Sequence, residues 1–182
     1  MDLTEKTTAS EQILDGVLLR AYRDTVELPD GGTSVREWIH HPGAAAVVPL
    51  FPNGSTLLVR QFRYPPRREF LEVPAGKLDE DGEDPEDVAR RELEEEVGHT
   101  AARLTRVGET YPCIGYSDEV IHLFLAEDLS AVERASEDDE FLVPVRMPLA
   151  EAVAMARRGE VLDAKSTVAL LVVQAFLETR DR

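Results

Sequence analysis

A short acidic segment holds the residues of this sequence best suited to bind a metal ion. Within six consecutive positions stand Arg91, Glu92, Glu95 and Glu96. At about 100° per residue, Glu92 and Glu96 lie together on one side of a helix, with Glu95 about 60° beyond Glu92. Such close carboxylates repel each other, and a hard cation such as Mg2+ or Mn2+ would relieve the repulsion. The alternative is an acidic, solvated helix face.

A helix is expected to position these carboxylates. Asp84 can accept hydrogen bonds at the N-cap, and Pro85 suits the first helical position because it has no N–H to leave unpaired. Gly98 is a typical C-terminal stop. One apolar stripe is predicted at Ala89, Leu93 and Val97. The metal-binding glutamates border this stripe, so we expect them to be half buried.

The segment from 76 to 98, GKLDEDGEDPEDVARRELEEEVG, resembles the Nudix box, Gx5Ex7REUxEExGU, where U is aliphatic. From Glu83 onward the fixed positions fall in register, which makes the motif specific. Two positions depart: six residues separate Gly76 from Glu83 instead of five, and His99 takes the last aliphatic place. Because the extra residue lies in a polar loop, we expect a longer loop and an intact metal geometry.

The resemblance covers the chain from about residue 36 to the C-terminus and indicates the ADP-ribose pyrophosphatase branch of the Nudix hydrolases. Four further segments support it, in order and spacing: 41–50, 58–65, 69–80 and 115–129. The fold that it implies is α/β (α+β): a Nudix-like α/β/α sandwich with a mixed sheet, plus an N-terminal β-hairpin subdomain.

The resemblance also implies roles for the acidic segment. Glu92 and Glu96 are expected to be metal ligands, together with the carbonyl oxygen of Ala75. Glu95 would be a further ligand or a local base, and Arg91 would brace the glutamates. The cofactor implied is Mg2+, with Mn2+ as an alternative.

Other residues are expected to contact the substrate. By resemblance, Arg63 would clamp the diphosphate or contact ribose, Glu80 would be an acid of the box loop, and Glu119 would lie near the terminal ribose. Arg36 and Glu37 would help to hold the adenine side.

The acid that orients or deprotonates the attacking water can come from a loop outside the box in this branch. The acidic run at 137–140 occupies the matching stretch, and within it we select Asp138 and Glu140. A solvated loop is the alternative.

The implied reaction is hydrolysis of ADP-ribose to AMP and ribose 5-phosphate by water attack at phosphorus. Two or three cations would offset the charges of the diphosphate and the glutamates and lower the pKa of the water. The sequence separates this poorly from hydrolysis of another nucleoside diphosphate sugar or a dinucleotide, for example GDP-mannose or NADH. A Nudix module that senses a nucleotide without cleaving it is a third possibility, although all three box glutamates are present.

Composition limits the kinds of partner and the cellular location that we expect. The chain has 182 residues, 43% of them hydrophobic, and a formal net charge of −16. This acidity argues against nucleic acid or an anionic membrane surface as a partner. Cys113 is the only cysteine, the N-terminus lacks the order of a signal peptide, and no apolar run approaches a membrane span. We therefore expect a cytoplasmic protein.

Turn residues and apolar runs outline two domains, 1–40 and 41–182. The first should contain strands within 16–27 and at 34–40 that form a hairpin. The resemblance implies that this hairpin pairs two copies of the chain into a homodimer. The second should contain the box helix, two later helices at 149–158 and 164–179, and strands near 44–50, 56–64, 69–73, 105–111, 119–126 and 141–146.

Overall fold

A computed structural model of the protein describes residues 2–78, 82–134 and 141–180. The strands are β1 (Lys6–Asp15), β2 (Arg20–Glu27), β3 (Thr33–His40), β4 (Ala44–Pro49), β5 (Ser55–Arg63), β6 (Arg68–Glu72), β7 (Ala75–Lys77), β8 (His99–Thr110), β9 (Ile121–Ala131) and β10 (Leu142–Pro148). The helices are α1 (Pro85–Val97), α2 (Leu149–Arg157) and α3 (Ala164–Arg180).

Three sheets organise the described strands. The first has the order β1-β2-β3, the second β10-β5-β6, and the third β7-β4-β9-β8. Within the third sheet β4 pairs with β9 in parallel, whereas its other pairings are antiparallel. The predicted mixed α/β fold with a mixed sheet is therefore confirmed.

The core lies on both faces of β4, whose side chains alternate between them. Ala44, Ala46 and Val48 belong to a cluster with buried residues of α2 and α3. Ala45 and Val47 belong to a second cluster with the apolar stripe of α1. Because successive strand residues point to opposite faces, this run of small apolar residues can be buried on both sides. The result is the expected sandwich of helix, sheet and helices.

The predicted ends of the box helix are also observed. The side chain of Asp84 accepts a hydrogen bond from the Glu86 backbone N–H at 2.9 Å, and Pro85 is the first residue of α1. Gly98 ends the helix at a φ of 66°, in the left-handed region that glycine favours. The backbone N–H of Gly98 reaches the Glu94 carbonyl oxygen at 3.1 Å. This short stretch of sequence thus determines both where the acidic helix begins and where it ends.

The N-terminal region differs from the predicted hairpin, because it forms a sheet of three strands. The additional strand, β1, has the sequence KTTASEQILD and is exposed along its whole length. It lacks the alternation of apolar and polar residues that identifies a half-buried strand. The division into domains at residue 40, and the dimerisation role of the first of them, stay predictions.

Periodicity predicts one apolar face for α3, made of Val168, Leu171, Val172 and Phe176, and the structure agrees only in part, because Val168 and Phe176 pack against the core. Leu171, which we expected on that face, is 36% exposed, whereas the fully buried residues of the helix are Ser166, Ala169, Leu170 and Val173. The helix carries apolar residues around most of its circumference, so periodicity alone does not identify the buried side. In the described part of the chain, no helix has both the length and the apolar character needed to cross a membrane.

Candidate active site

The two glutamates predicted to bind metal lie deep in the protein, on the side of α1 that faces the sheet. Glu92 is 6% exposed and Glu96 is 3% exposed, so both are more buried than the half-buried position expected from sequence. Glu95, one residue before Glu96, is only partly buried. Buried carboxylates are costly unless charges or hydrogen bonds compensate them, so their partners are informative.

Arg91 links Glu92 to Glu95. Its Nη1 donates to Glu92 Oε1 at 3.0 Å and to Glu95 Oε2 at 3.4 Å, while its Nη2 donates to the Lys77 carbonyl oxygen at 3.3 Å. A guanidinium bound in this way holds two carboxylates and a strand in fixed relation. These contacts are those expected of a bracing residue.

Strand β7 meets the glutamates through its backbone. The Ala75 N–H donates to Glu96 Oε2 at 3.2 Å. At Gly76, an added Cβ atom would lie 1.7 Å from Glu92 Oε1, which is too close unless that side chain moves. An alanine here would force the Glu92 carboxylate to move, so the glycine that opens the motif leaves room for that carboxylate in its present position.

A cavity of about 620 Å³ opens beside β7. Three of the residues predicted from sequence line it together: Arg63, Ala75 and Glu119. A cavity of this size can hold a ligand of several hundred daltons, because small-molecule sites span about 300–1,000 Å³. The structure thus brings two of the predicted substrate contacts, Arg63 and Glu119, to the same cavity as Ala75, whose backbone lies beside the glutamates predicted to bind metal.

Sequence reasoning missed an ionic cluster on the wall of this cavity. Glu72, 2% exposed, accepts from Arg63 Nε and Nη2, each at 2.8 Å, and also binds the ammonium group of Lys165. Burial alone would raise the pKa of Glu72, but the Arg63 hydrogen bonds and the Lys165 charge outweigh it and hold the pKa below the ordinary value. The same pairing raises the pKa of Arg63. The sequence signal was available: Glu72 is an acid in an otherwise apolar stretch, FLEVPA.

The sequence predicts that Arg63 clamps a diphosphate, but in the structure its bidentate contact is made with Glu72. Its Nη1 shows no hydrogen-bond partner within the described residues. This nitrogen is the donor with which Arg63 could contact a ligand.

Glu119 is held beside His41 at another part of the cavity wall. His41 Nε2 lies 3.8 Å from Glu119 Oε1, and His41 Nδ1 accepts from the Gly43 N–H at 3.1 Å. Because Nδ1 accepts this bond, the proton of the neutral ring is on Nε2, which faces Glu119. A carboxylate oriented in this way could accept hydrogen bonds from sugar hydroxyls.

The two N-terminal residues predicted to contact substrate lie elsewhere. Arg36 pairs with Glu5, just before β1, at 2.5 Å, and Glu37 accepts from Arg23 of β2 at 2.8 Å. Neither is among the described residues that line the cavity. Within one chain, the structure therefore does not bring these residues to the site.

Several predicted residues lie outside the described ranges. Glu80 of the box loop belongs to the first gap, and the acidic run at 137–140, with Asp138 and Glu140, belongs to the second. Their roles stay predictions.

Comparison with known proteins identifies the class. A family model described as the NUDIX domain matches residues 40–170, and one described as the nucleoside diphosphate sugar hydrolase N-terminal domain matches residues 5–39. The chain belongs to the Nudix family, and its prediction as a Nudix hydrolase is confirmed.

Individual relatives cover nearly the whole chain. The chain is 45% identical to an ADP-ribose pyrophosphatase of Bacillus subtilis over 94% of each protein. It is 39% identical to a methanol dehydrogenase activator of Bacillus methanolicus, over 93% of this chain and 92% of that protein. A crystal structure of an ADP compounds hydrolase, 24% identical, superposes with a TM-score of 0.85 and covers 99% of this chain and 98% of that one, which shows the fold.

Members of the family generally require a divalent metal ion. The donor set fits such an ion, since two buried carboxylates, Glu92 and Glu96, lie against the backbone of β7 with oxygen atoms that hard cations prefer. Among the residues that the structure describes, however, no three His, Cys, Asp or Glu side chains are gathered closely enough to hold an ion. The predicted convergence of Glu95 with the other two is therefore not observed in these ranges.

Proposed function

We propose that the protein hydrolyses the diphosphate of ADP-ribose to AMP and ribose 5-phosphate, with Mg2+ as its cofactor. The observation that carries the proposal is the buried pair Glu92 and Glu96, which contact Gly76 and Ala75 of β7 beside a cavity of about 620 Å³ that Arg63 also lines. The similar Bacillus subtilis protein is an ADP-ribose pyrophosphatase, which supports this choice of substrate.

The metal ion would be held by Glu92, Glu96 and the carbonyl oxygen of Ala75, with Glu95 as a further donor or a local base. When bound, the ion offsets the charge of the diphosphate and lowers the pKa of the attacking water. Mn2+ is the alternative cofactor, since it accepts the same oxygen ligands.

The other residues bind and orient the substrate. Arg63 would donate from Nη1 to a diphosphate oxygen, because Nε and one N–H of Nη2 are bound to Glu72. Glu119 would accept from hydroxyls of the terminal ribose. Arg91 would keep the glutamates in place through its bonds to Glu92 and Glu95. Water would then attack phosphorus directly, with no covalent intermediate. The carboxylate of Asp138 or Glu140, in the acidic run at 137–140, would take its proton.

The remaining predicted contacts require a second chain. Arg36 and Glu37 lie on the exposed first sheet, so they would reach the adenine side only in a homodimer formed through that sheet. We propose such a dimer and a cytoplasmic location, the latter because the single Cys113 suits a reducing compartment. The net charge of −16 favours a small-molecule substrate over a nucleic acid partner.

A second candidate is hydrolysis of another nucleoside diphosphate sugar. The match of residues 5–39 to the N-terminal domain of nucleoside diphosphate sugar hydrolases favours it. The chemistry at phosphorus would be the same, and only the group that faces Glu119 would differ.

Product analysis tests the proposal. The purified protein is incubated with Mg2+ and ADP-ribose, GDP-mannose, UDP-glucose, NADH or a diadenosine polyphosphate, and the products are separated by anion-exchange chromatography, with a chelator control. We expect AMP and ribose 5-phosphate from ADP-ribose, at a kcat/KM several-fold above the other substrates and lost on chelation. Preference for another substrate would contradict ADP-ribose specificity, and binding without cleavage of any would indicate a sensor.

A further inference from the structure

We propose that Glu72 and Lys165 are positioning residues that hold the Arg63 guanidinium ready for the substrate diphosphate. The inference rests on the proposed function, because it explains how a substrate-contacting arginine is oriented. It assigns roles to two residues, on β6 and α3, that the sequence motif does not include.

Glu72 fixes Arg63 through both carboxylate oxygens. Oε1 accepts from Arg63 Nε and Oε2 accepts from Arg63 Nη2, each at 2.8 Å, which is the bidentate geometry that fixes the plane of a guanidinium. The Glu72 side chain is almost completely buried, whereas the Arg63 side chain is 41% exposed. The pair is therefore anchored at its carboxylate end and open to the cavity at its arginine end.

Lys165 secures Glu72 from the other side. Its ammonium group binds Glu72 Oε2 and also donates to Asp163 Oδ2 at 2.9 Å. Two cations and two carboxylates thus form a balanced cluster at the cavity wall. Removal of one member of such a buried cluster leaves an uncompensated charge, so Glu72 would no longer be held in one place.

Hydrogen bonds at the N-terminal end of α3 hold the backbone around Lys165 in place. Asp163 Oδ2 accepts from the Ser166 N–H at 3.0 Å and from Ser166 Oγ at 2.5 Å, and Ser166 Oγ accepts from the Val73 N–H at 2.8 Å. Val73 is two residues before Ala75, whose N–H binds Glu96. The N-terminal end of α3 therefore contacts two parts of the site. Lys165 supports Arg63 through Glu72, and Ser166 holds the backbone at Val73, two residues before β7 begins.

The consequence for catalysis is preorganisation. An arginine free to sample its rotamers must be ordered when substrate binds, whereas one already held presents its donor at no further cost. Among the described residues, Nη1 of Arg63 is left for the ligand. Lys165 also lines the cavity, but its ammonium group is bound to Glu72 and Asp163, so we expect it to affect catalysis through Glu72 and Arg63.

A double-mutant cycle on kcat/KM for ADP-ribose tests this dependence. Lys165→Met should lower kcat/KM roughly tenfold, the order expected for one charge-assisted hydrogen bond. In an Arg63→Gln background, where there is no guanidinium to position, the same substitution should change kcat/KM by less than about twofold. Lys165→Arg should recover most of the activity, because it keeps a cation within reach of Glu72.

The chain offers a matched control on the same two strands. Arg60 of β5 and Glu69 of β6 form an exposed ion pair at 3.7 Å. Neither residue lines the cavity that Arg63 lines. Arg60→Met and Glu69→Gln should each leave kcat/KM within about twofold of the unsubstituted protein, since exposed pairs contribute little.

The outcomes separate the inference from the proposed function. The positioning role would be overturned if Lys165→Met lowered kcat/KM equally in the presence and absence of Arg63, or did not lower it at all. Either result could be obtained with an active enzyme, so the proposed function would still hold. If Lys165→Met fails to fold, Glu72→Gln takes its place in the cycle, and equal losses in both backgrounds would again overturn it. If the unsubstituted protein does not cleave ADP-ribose, the proposed function fails, and the inference fails with it.

Discussion

Glu96 is the residue on which the proposed chemistry depends most. Its carboxylate is buried and accepts from the Ala75 N–H, so it is held where β7 passes α1. An amide at this position would keep the size and the hydrogen bond but lose the negative charge that a divalent ion requires. The charge and the packing of this side chain can thus be separated by one substitution.

We predict that Glu96→Gln lowers kcat at saturating Mg2+ by roughly 100-fold or more, because a metal ion stabilises the transition state by several kcal/mol. Glu94→Gln is the matched control: Glu94 is on the same helix but exposed, and its substitution should leave kcat unchanged. If Glu96→Gln retained most of its activity, the assignment of Glu96 as a metal ligand would be contradicted.

Gly76 provides a second prediction at the residue scale. Because a Cβ atom would fall 1.7 Å from Glu92 Oε1, Gly76→Ala must displace that carboxylate. We expect a loss of roughly 100-fold in kcat/KM, the order that a displacement of about 1 Å costs a catalytic group. Gly115→Ala, where nothing lies within 4 Å, serves as the control. Steady-state kinetics that do not distinguish the two variants would contradict the close packing.

The sequence predicted part of this site and missed part of it, for physical reasons. Glu92 and Glu96 were identified because helical spacing places them together within one local segment. Glu72 and Lys165 were missed because they are 93 residues apart and meet only through the packing of α3 on β6. No local pattern reports such a pair, whereas the acid within an apolar strand was a visible hint.

At the scale of elements, α1 was the most predictable part of the fold. Its N-cap, first-turn proline, apolar stripe and terminal glycine all act over a few residues, so the sequence specified its ends. By contrast, β1 is exposed and polar, and it becomes a strand only because β2 pairs with it. The burial of α3 depended likewise on tertiary packing.

The cap of α1 can be tested through stability. Asp84→Ala removes the acceptor of the Glu86 N–H and should lower the free energy of unfolding by about 1 kcal/mol. Asp84→Asn keeps a capping oxygen and should recover most of that loss. Urea denaturation followed by circular dichroism measures both. Equal stability of the alanine variant and the unsubstituted protein would show that the cap contributes nothing.

At the scale of the whole molecule, the first sheet is the natural candidate for an interface. It exposes several apolar side chains on β1 and on the turn that follows: Ile13, Leu14, Val17, Leu18 and Leu19. Soluble monomers rarely expose a contiguous apolar patch without a function for it. A dimer through this sheet would cover the patch and give Arg36 and Glu37 a route to the substrate of the other subunit.

We predict a solution mass of twice 20.3 kDa by sedimentation equilibrium. Leu14→Glu should shift the protein towards the monomer, because it places a charge in the proposed interface. Val143→Glu, at a similarly exposed apolar side chain on β10, should leave the mass unchanged. A monomer in the unsubstituted protein, or the same response in both variants, would contradict a dimer through the first sheet.

The central claim is that water attacks a phosphorus atom of ADP-ribose in this cavity. The most direct test is hydrolysis of ADP-ribose by the protein with Mg2+ in 18O-enriched water, with the products weighed by mass spectrometry. We predict AMP and ribose 5-phosphate as the products, with one 18O atom incorporated into the phosphate of one of them for each bond cleaved. Products without label in either phosphate, or no cleavage, would contradict the account.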